Sequence, residues 1–244
     1  MKKYLIRRSF MIRLLLLVIL AYGVGNAGAY AKAPIRVLMV GGGASHDFNT
    51  WYKDADVATL EKDGFAEVTY TDDVSQILDH LSTVDVLLLT NNQPINDPAT
   101  REAIFDFVKA GKGLVLAHAA LWYNWADWPE YNQTLVSGGS RGHDPYGAFT
   151  VSIVKKHPVV KGVDKTFELK DELYYQKVDA AGPGVTVLAE AKNKESGDSF
   201  PSVFIVNNAD ARIVGIALGH DGEAHNLDNY KIMLKNAVKW TANK

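Results

Sequence analysis

The fold is decided by the stretch Gly113-Leu114-Val115-Leu116-Ala117-His118-Ala119-Ala120-Leu121-Trp122. An apolar, β-prone run over residues 114–117 stops abruptly at His118, and the small residues that follow allow a helix to begin at once. In an open α/β sheet, the groups that contact ligands lie just beyond the carboxyl ends of the strands. The pattern therefore predicts that His118 stands on a tight strand-to-helix turn, presented as a nucleophile elbow presents its serine.

The same strand-then-helix pattern occurs three times before this stretch. Apolar runs predict buried strands, and helical periodicity follows each of them. The predicted strands are 35–40, 66–71, 84–90 and 114–117, and the predicted helices are about 49–63, 74–81 and 98–111. Four such units in a row predict an α/β fold with a mainly parallel sheet and helices on both faces.

The pattern changes after Trp122. Residues 123–147 are rich in aromatic, glycine and polar residues, which is typical of a functional loop. Further strands are predicted at 148–154, 185–189, 202–206 and 213–218, and a closing helix at about 227–242. Because no internal repeat or linker is present, we predict a single domain over residues 32–244.

The first 31 residues have the features of a secretory signal peptide. Five basic residues precede a short apolar run at 14–20, and small residues at Ala29 and Ala31 complete an A-x-A ending. We expect cleavage after Ala31, a periplasmic or secreted protein, and no stable membrane insertion after processing. The alternative is an uncleaved anchor, which is disfavoured because a spanning helix needs roughly 20 apolar residues.

The composition excludes several classes of function. The chain has no cysteine, so disulfides, thiolate metal sites and a cysteine nucleophile are excluded. Its formal net charge is −2, and no block of Lys and Arg follows residue 31, so nucleic acid is not an expected partner. The oligomeric state stays open, and a homo-oligomer is compatible with the sequence.

Three histidines directly follow predicted strands, namely His46, His118 and His220. A single histidine in such a place is most often structural, but three at the carboxyl ends of strands would share one rim of the sheet. An imidazole titrates near neutral pH, so it can transfer protons in catalysis. Asp47 and Asp221 each follow one of these histidines and could orient its ring.

Other candidates lie in the later loops. Glu172 and Tyr174 supply another acid and a phenol, and His143 lies in the aromatic loop. A group of rings could stack on sugars, or could simply pack the loop on the sheet. The rings of this group are Trp122, Tyr123, Trp125, Trp128 and Tyr131.

Two cofactor hypotheses follow from the same residues. Imidazoles and carboxylates are ligands of zinc and other divalent ions, although no H-E-x-x-H spacing occurs. Gly41-Gly42-Gly43 resembles the start of a dinucleotide-binding loop, but His46 stands where the third glycine belongs. We therefore expect no bound cofactor, with a divalent metal as the open alternative.

With these residues assembled, the chain resembles the ThuA-like (trehalose utilisation) family, within the class I glutamine amidotransferase-like superfamily. The motifs that carry the resemblance extend from about residue 35 to 241. They are Gly43-Ala44-Ser45-His46-Asp47-Phe48 with Trp51, Gly113 to Ala120, Trp128-Pro129-Glu130-Tyr131, Gly138-Gly139, His157-Pro158, Asp171-Glu172-Leu173-Tyr174, Leu218-Gly219-His220-Asp221 and Asn236-Ala237-Val238-Lys239-Trp240. The resemblance implies a flavodoxin-like, doubly wound sheet and a link to sugar metabolism.

The resemblance does not imply glutamine hydrolysis. The amidotransferases of the superfamily carry a cysteine at the elbow, where this chain has His118 and no cysteine anywhere. A thioester route is therefore excluded.

Two hypotheses of function follow. The first is an exported enzyme that acts on a sugar, disaccharide or keto-glycoside by histidine acid–base chemistry, and the second is a non-catalytic carbohydrate-binding module. In the first, the expected catalytic residues are His118, His46, His220 and Glu172. The expected substrate-binding residues are Asp47, Asp221, Trp122, Trp128, Tyr131, His143 and Tyr174. In both, the expected partner is a small-molecule carbohydrate.

Overall fold

The computed structural model describes residues 33–122 and 127–243. Residues Pro34–Lys244 form one compact unit. The predicted signal peptide, Tyr123 and Trp125 lie outside the described residues. Among the described helices, none combines the length and apolar character that crossing a membrane requires.

Within the described residues, eleven strands form one large and one small sheet. They are β1 (Ile35–Val40), β2 (Ala66–Thr71), β3 (Val86–Leu89), β4 (Gly113–Ala117), β5 (Gly138–Gly139), β6 (Gly147–Ile153), β7 (Thr166–Asp171), β8 (Lys177–Val178), β9 (Val185–Lys192), β10 (Ser199–Val206) and β11 (Ile213–Ile216). The large sheet has the order β2-β1-β3-β4-β11-β10-β9-β6-β7, and β5 pairs with β8. The five strands from β2 to β11 are parallel, and the remaining four continue the sheet in antiparallel pairs.

The α-helices of the described residues lie between these strands and at the end of the chain. They are α1 (Val57–Glu61), α2 (Ile77–Leu81), α3 (Pro98–Lys109), α4 (Gly222–His225) and α5 (Asp228–Thr241). Shorter 3-10 turns occur at Lys62–Gly64, Val74–Gln76, His118–Leu121 and Pro158–Val160, and π-helical segments occur at Phe48–Asp56 and Tyr131–Val136.

The core has two layers, one on each face of the sheet. Successive side chains of a strand point to opposite faces, and Met39 of β1 accordingly joins one core cluster while Leu38 joins the other. α5 contributes Met233 to the first cluster, and α3 contributes Ile104 to the second. Helices therefore cover both faces of the sheet, and the predicted flavodoxin-like α/β class is confirmed.

Several elements differ from the sequence prediction, among them β7 and the first helix. β7 was not predicted, although its alternating exposed and buried residues have the period of a half-buried strand. The single helix predicted at 49–63 is a π-helical segment that continues as α1 and ends at Glu61. The chain turns immediately afterwards, because Asp63 adopts a positive φ of 61°.

Candidate functional site

His118 stands at the carboxyl end of β4, where the strand turns directly into a 3-10 helix. Its φ is +37°, a conformation that is uncommon for a residue with a side chain and that is found at functional turns. The ring is buried, and its Nδ1 lies 2.8 Å from the carbonyl oxygen of Ala217. A carbonyl only accepts, so Nδ1 carries the proton and Nε2 keeps its free lone pair.

His46 is fixed in the same way in the loop after β1. Its Nδ1 lies 2.9 Å from the carbonyl oxygen of Ala44, which again leaves Nε2 as the unprotonated nitrogen. Asn92 holds Ala44 from the next loop, because its Oδ1 accepts from the Ala44 N–H at 2.8 Å and its Nδ2 donates to the Ala44 carbonyl at 3.0 Å. The loop that presents His46 is therefore tied to the end of β3.

Asp171 joins the ends of two strands that lie far apart in the order of the sheet. Its carboxylate, at the end of β7, accepts hydrogen bonds from the Gly219 N–H at 2.8 Å and the His220 N–H at 3.2 Å. These two residues follow β11. The contact brings Glu172, the next residue after Asp171, beside His220.

Three imidazoles and one carboxylate converge at this rim. His46, His118, Glu172 and His220 each offer one ligand atom, and these atoms all lie within 4.8 Å of one another. His46 Nε2, His118 Nε2 and His220 Nδ1 are shielded from solvent and have no hydrogen-bond partner. We name these four residues the rim cluster.

Glu172 is the shared neighbour of two rim imidazoles, His118 and His220. Its Oε2 lies 3.2 Å from His220 Nδ1 and 3.7 Å from His118 Nε2, without the geometry of a hydrogen bond at either nitrogen. Its other oxygen lies 3.7 Å from Nε2 of His143, a partly exposed residue that borders the cluster. The carboxylate thus lies within ion-pair distance of three rings.

The pKa values in the rim cluster are shifted in different directions. Burial and the neighbouring His118 lower the pKa of His46 to about 4, so this ring is neutral at neutral pH. Contact with Glu172 raises the pKa of His220 despite burial. Burial opposes ionisation of Glu172, but its contacts with His118 and His220 lower its pKa overall. A neutral imidazole and an ionised carboxylate are the forms that bind metal ions, so the shifts at His46 and Glu172 favour binding whereas the shift at His220 opposes it.

Aromatic rings border the cluster on one side. Tyr174 stacks on His118 with 4.4 Å between ring centroids, and Trp122 lies 5.7 Å from His143. Trp122 and His143 are both partly exposed, whereas Tyr174 is buried. The structure therefore places Trp122, His143 and Tyr174 beside the rim cluster.

The structure does not bring four other predicted residues into the cluster. Asp47 accepts from the Thr50 N–H and begins a helical segment, and Asp221 accepts from the Glu223 N–H at the start of α4. Neither carboxylate orients the histidine beside it. Trp128 and Tyr131 pack in the core with exposures of 3% and 0%, which corrects their expected place in an open sugar platform.

Sequence reasoning missed a second group of polar residues, Asp56, His225 and Tyr230, which we name the buried group. His225 and Asp56 are both buried and form an ion pair with 2.8 Å between Nδ1 and Oδ1. The hydroxyl of Tyr230 donates to the other oxygen of Asp56 at 3.0 Å. His225 could have been suspected because it follows His220 closely, but nothing in the sequence links it to Asp56.

Comparison with protein families identifies the chain. The family profile ThuA, described as trehalose utilisation, matches residues 36–241. The chain belongs to the ThuA family. The resemblance predicted from the motifs is thereby confirmed. A search of curated protein sequences found no significant match.

Solved structures share the fold of this ThuA-family chain. A ThuA-like protein from Parabacteroides merdae is similar, with 24% identity and a TM-score of 0.74 over 86% of this chain and 90% of that chain. A ThuA-like protein from Bacteroides uniformis has 24% identity and a TM-score of 0.73 over 89% and 95% of the two chains. A glutamine amidotransferase from Thermotoga maritima is 9% identical, with a TM-score of 0.52 over 88% and 100%. These similarities show a class I glutamine amidotransferase-like fold.

Proposed function

We propose that this ThuA-family chain is an exported enzyme that acts on a sugar, a disaccharide or a keto-glycoside at a divalent metal centre. The rim cluster, His46, His118, Glu172 and His220, supplies the ligands. One observation carries the proposal: three unpartnered imidazole nitrogens and a carboxylate face one another within 4.8 Å.

A bound cation explains these nitrogens better than direct acid–base catalysis does. Buried polar atoms without partners are rare in folded proteins, because each loses its hydration without compensation. A cation would satisfy all of them at once. In addition, His46 and His118 each bond a backbone carbonyl through Nδ1, which is the outer contact that fixes the tautomer of metal-binding histidines.

The sugar substrate is inferred from the family and from the border of the site. The family description is trehalose utilisation. A cation can polarise a carbonyl or hydroxyl oxygen, and the partly exposed ring of Trp122 offers an apolar face of the kind on which sugars stack. His143 is outside the proposed ligand set and lies 3.7 Å from Glu172, so it is the imidazole available for proton transfer.

Export belongs to the same proposal. The basic start, the short apolar run and the A-x-A ending of residues 1–31 support cleavage after Ala31 and a periplasmic or secreted protein. Expression of the full chain with amino-terminal sequencing of the mature protein tests it. An amino terminus at Lys32 is expected, and a retained Met1 would contradict export by cleavage.

The metal and the activity can be tested on the same preparation. The protein is purified without added ions, its metal content is measured, and turnover is followed on disaccharides and their keto derivatives before and after chelation. We expect about one ion per chain and turnover that chelation abolishes and the ion restores. His157→Ala is the matched control, because this histidine packs on Trp240 outside the rim cluster. A protein that takes up no divalent ion would overturn the metal centre.

The alternative is a carbohydrate-binding module that uses the same rim without chemistry. Its distinguishing result is saturable sugar binding, measured by calorimetry, with no turnover of any substrate in the panel by the metal-loaded protein. In an enzyme, His143→Gln would instead lower kcat while sugar binding is retained.

A further inference from the structure

Buried side chains outside the proposed metal centre form hydrogen bonds with the turn that carries His220. Both ring nitrogens of His225 are engaged, at 2.8 Å from Asp56 Oδ1 and at 3.0 Å from the carbonyl oxygen of Gly219. Tyr52 donates its hydroxyl proton to the same carbonyl at 2.5 Å. The carbonyl of the peptide group between Gly219 and His220 therefore accepts hydrogen bonds from two buried side chains.

The partners of His225 determine its protonation state. A carbonyl oxygen and a carboxylate oxygen both accept hydrogen bonds, so each ring nitrogen that faces one of them must carry a proton. Two such contacts require an imidazolium ring, and Asp56 supplies the compensating charge. Burial opposes this charge, but Asp56 outweighs it and raises the pKa of His225. The geometry and the shift in pKa agree.

The backbone of Gly219 is held at both of its polar groups, so His220 cannot shift independently of the buried side chains. The N–H of Gly219 is fixed by Asp171 at 2.8 Å while its carbonyl is fixed by the buried group. Gly219 has a φ of +127°, and a Cβ at this position would lie 3.3 Å from the hydroxyl of Tyr230. Only glycine fits there, and the direction of the following residue depends on these contacts.

We propose that the buried Asp56–His225 pair is a positioning device that sets His220 as a metal ligand through the Gly219 carbonyl. The inference rests on the proposed function, because positioning of this kind matters only if His220 binds an ion. The pair touches neither the ion nor the substrate. Its removal alters the affinity for the ion because the ligand is misplaced, while the ligand set itself is intact.

The test is Asp56→Asn, which keeps the shape of the side chain and removes its charge. His225 then loses one ring proton: the introduced amide can donate to Nδ1, and the bond from Nε2 to the Gly219 carbonyl loses its charge assistance and weakens. Zinc and cobalt affinities are measured by competition with a chelator. We expect about a 10- to 100-fold loss of affinity, the range found when outer contacts of metal ligands are changed. Asp56→Glu, which restores the charge, is expected to recover part of that loss.

A control separates positioning from general loss of stability. Ile104→Ala weakens the core on the opposite face of the sheet, and we expect it to lower Tm without changing zinc affinity. If Asp56→Asn also lowers only Tm, the positioning role is overturned. If Asp56→Asn does not fold, Tyr52→Phe is the second variant, because it removes only one hydrogen bond to the Gly219 carbonyl. We expect it to weaken zinc binding by several-fold. Unchanged zinc affinity would again overturn the positioning role.

A spectroscopic readout keeps this proposal distinct from the proposed function. The ring 15N signals of His225, assigned by their loss in His225→Gln, should show two protonated nitrogens at pH 7. A neutral ring would overturn the charge assignment, whether or not the protein binds metal. If the unaltered protein binds neither zinc nor cobalt, the proposed metal centre fails. If it binds them and Asp56→Asn binds them equally well, only the positioning device fails.

Discussion

The molecule contains two histidine–carboxylate groups that are built from the same side chains and differ in how they are satisfied. In the rim cluster, His46, His118 and His220 each retain a nitrogen without a partner. In the buried group, both nitrogens of His225 and both oxygens of Asp56 have partners. The comparison shows that a buried histidine whose hydrogen bonds are all satisfied within the protein has a structural role. Several histidines whose buried, unpaired nitrogens face one another indicate a ligand-binding site.

Breaking the buried group should have the largest effect on the fold. His225→Ala leaves the carboxylate of Asp56 buried without its counter-charge, and loss of one partner of a buried ion pair costs about 3–5 kcal/mol. We expect the free energy of unfolding, measured with urea, to fall by this amount. His46→Ala in the rim cluster is the comparison, and a similar loss there would erase the distinction between the two groups.

Breaking the rim cluster should affect ion binding more than stability. His118→Asn removes a proposed ligand, and asparagine tolerates the positive φ of this position. We expect zinc affinity to fall by more than about 100-fold, since changes to outer contacts alone cost 10- to 100-fold. Stability should fall by about 1–2 kcal/mol, as for an ordinary buried substitution. Chelator competition and urea unfolding measure the two quantities, and unaltered zinc binding would remove His118 from the ligand set.

Part of the pH dependence of stability near neutral pH should come from the buried group. Asp56 raises the pKa of His225 in the folded protein above its ordinary value of 6.5, although burial opposes the shift. The folded state then holds a proton that the unfolded state has lost, so the ion pair stabilises the fold fully below pH 6.5. The contribution disappears as the pH rises through the folded pKa. Urea unfolding between pH 6 and 9 should show this loss, and in Asp56→Asn it should shrink to the part that His220 contributes through its own raised pKa.

The smallest effect is expected at the outer edge of the rim. The hydroxyl of the exposed Tyr146 donates to Asp221 at 2.6 Å, while its ring lies 5.5 Å from that of His220. Tyr146→Phe keeps the ring and removes one solvent-accessible hydrogen bond, which contributes about 1–2 kcal/mol. Zinc affinity should stay within twofold of the unaltered protein. A large change in affinity would extend the metal site to Asp221.

The sequence predicted the parallel half of the sheet well because its signals are local. Nearly continuous apolar runs mark β1, β3 and β4, and Asp97 followed by Pro98 marks the start of α3. The places of His46, His118 and His220 after strands were visible for the same reason. Their meeting at one rim follows from the parallel topology alone.

The remaining features depend on contacts that local patterns do not contain. The contact of Asp171 with Gly219 joins residues 48 positions apart, and His225 meets Asp56 across 169 positions. No pattern within a short window predicts such pairs. Trp128 and Tyr131 had the composition of a sugar platform, but their burial was decided by how the loop folds back on the sheet.

The junction at Asp171 also links ion binding to the stability of the whole fold. Three members of the rim cluster come from the parallel half of the sheet, but Glu172 arrives with β7, at the far edge of the antiparallel half. The four proposed ligands come together only when the parallel and antiparallel parts of the sheet are both formed and Asp171 has bonded the turn after β11. An ion that requires all four side chains would therefore bind the folded protein and not the unfolded chain, and would stabilise the fold by mass action.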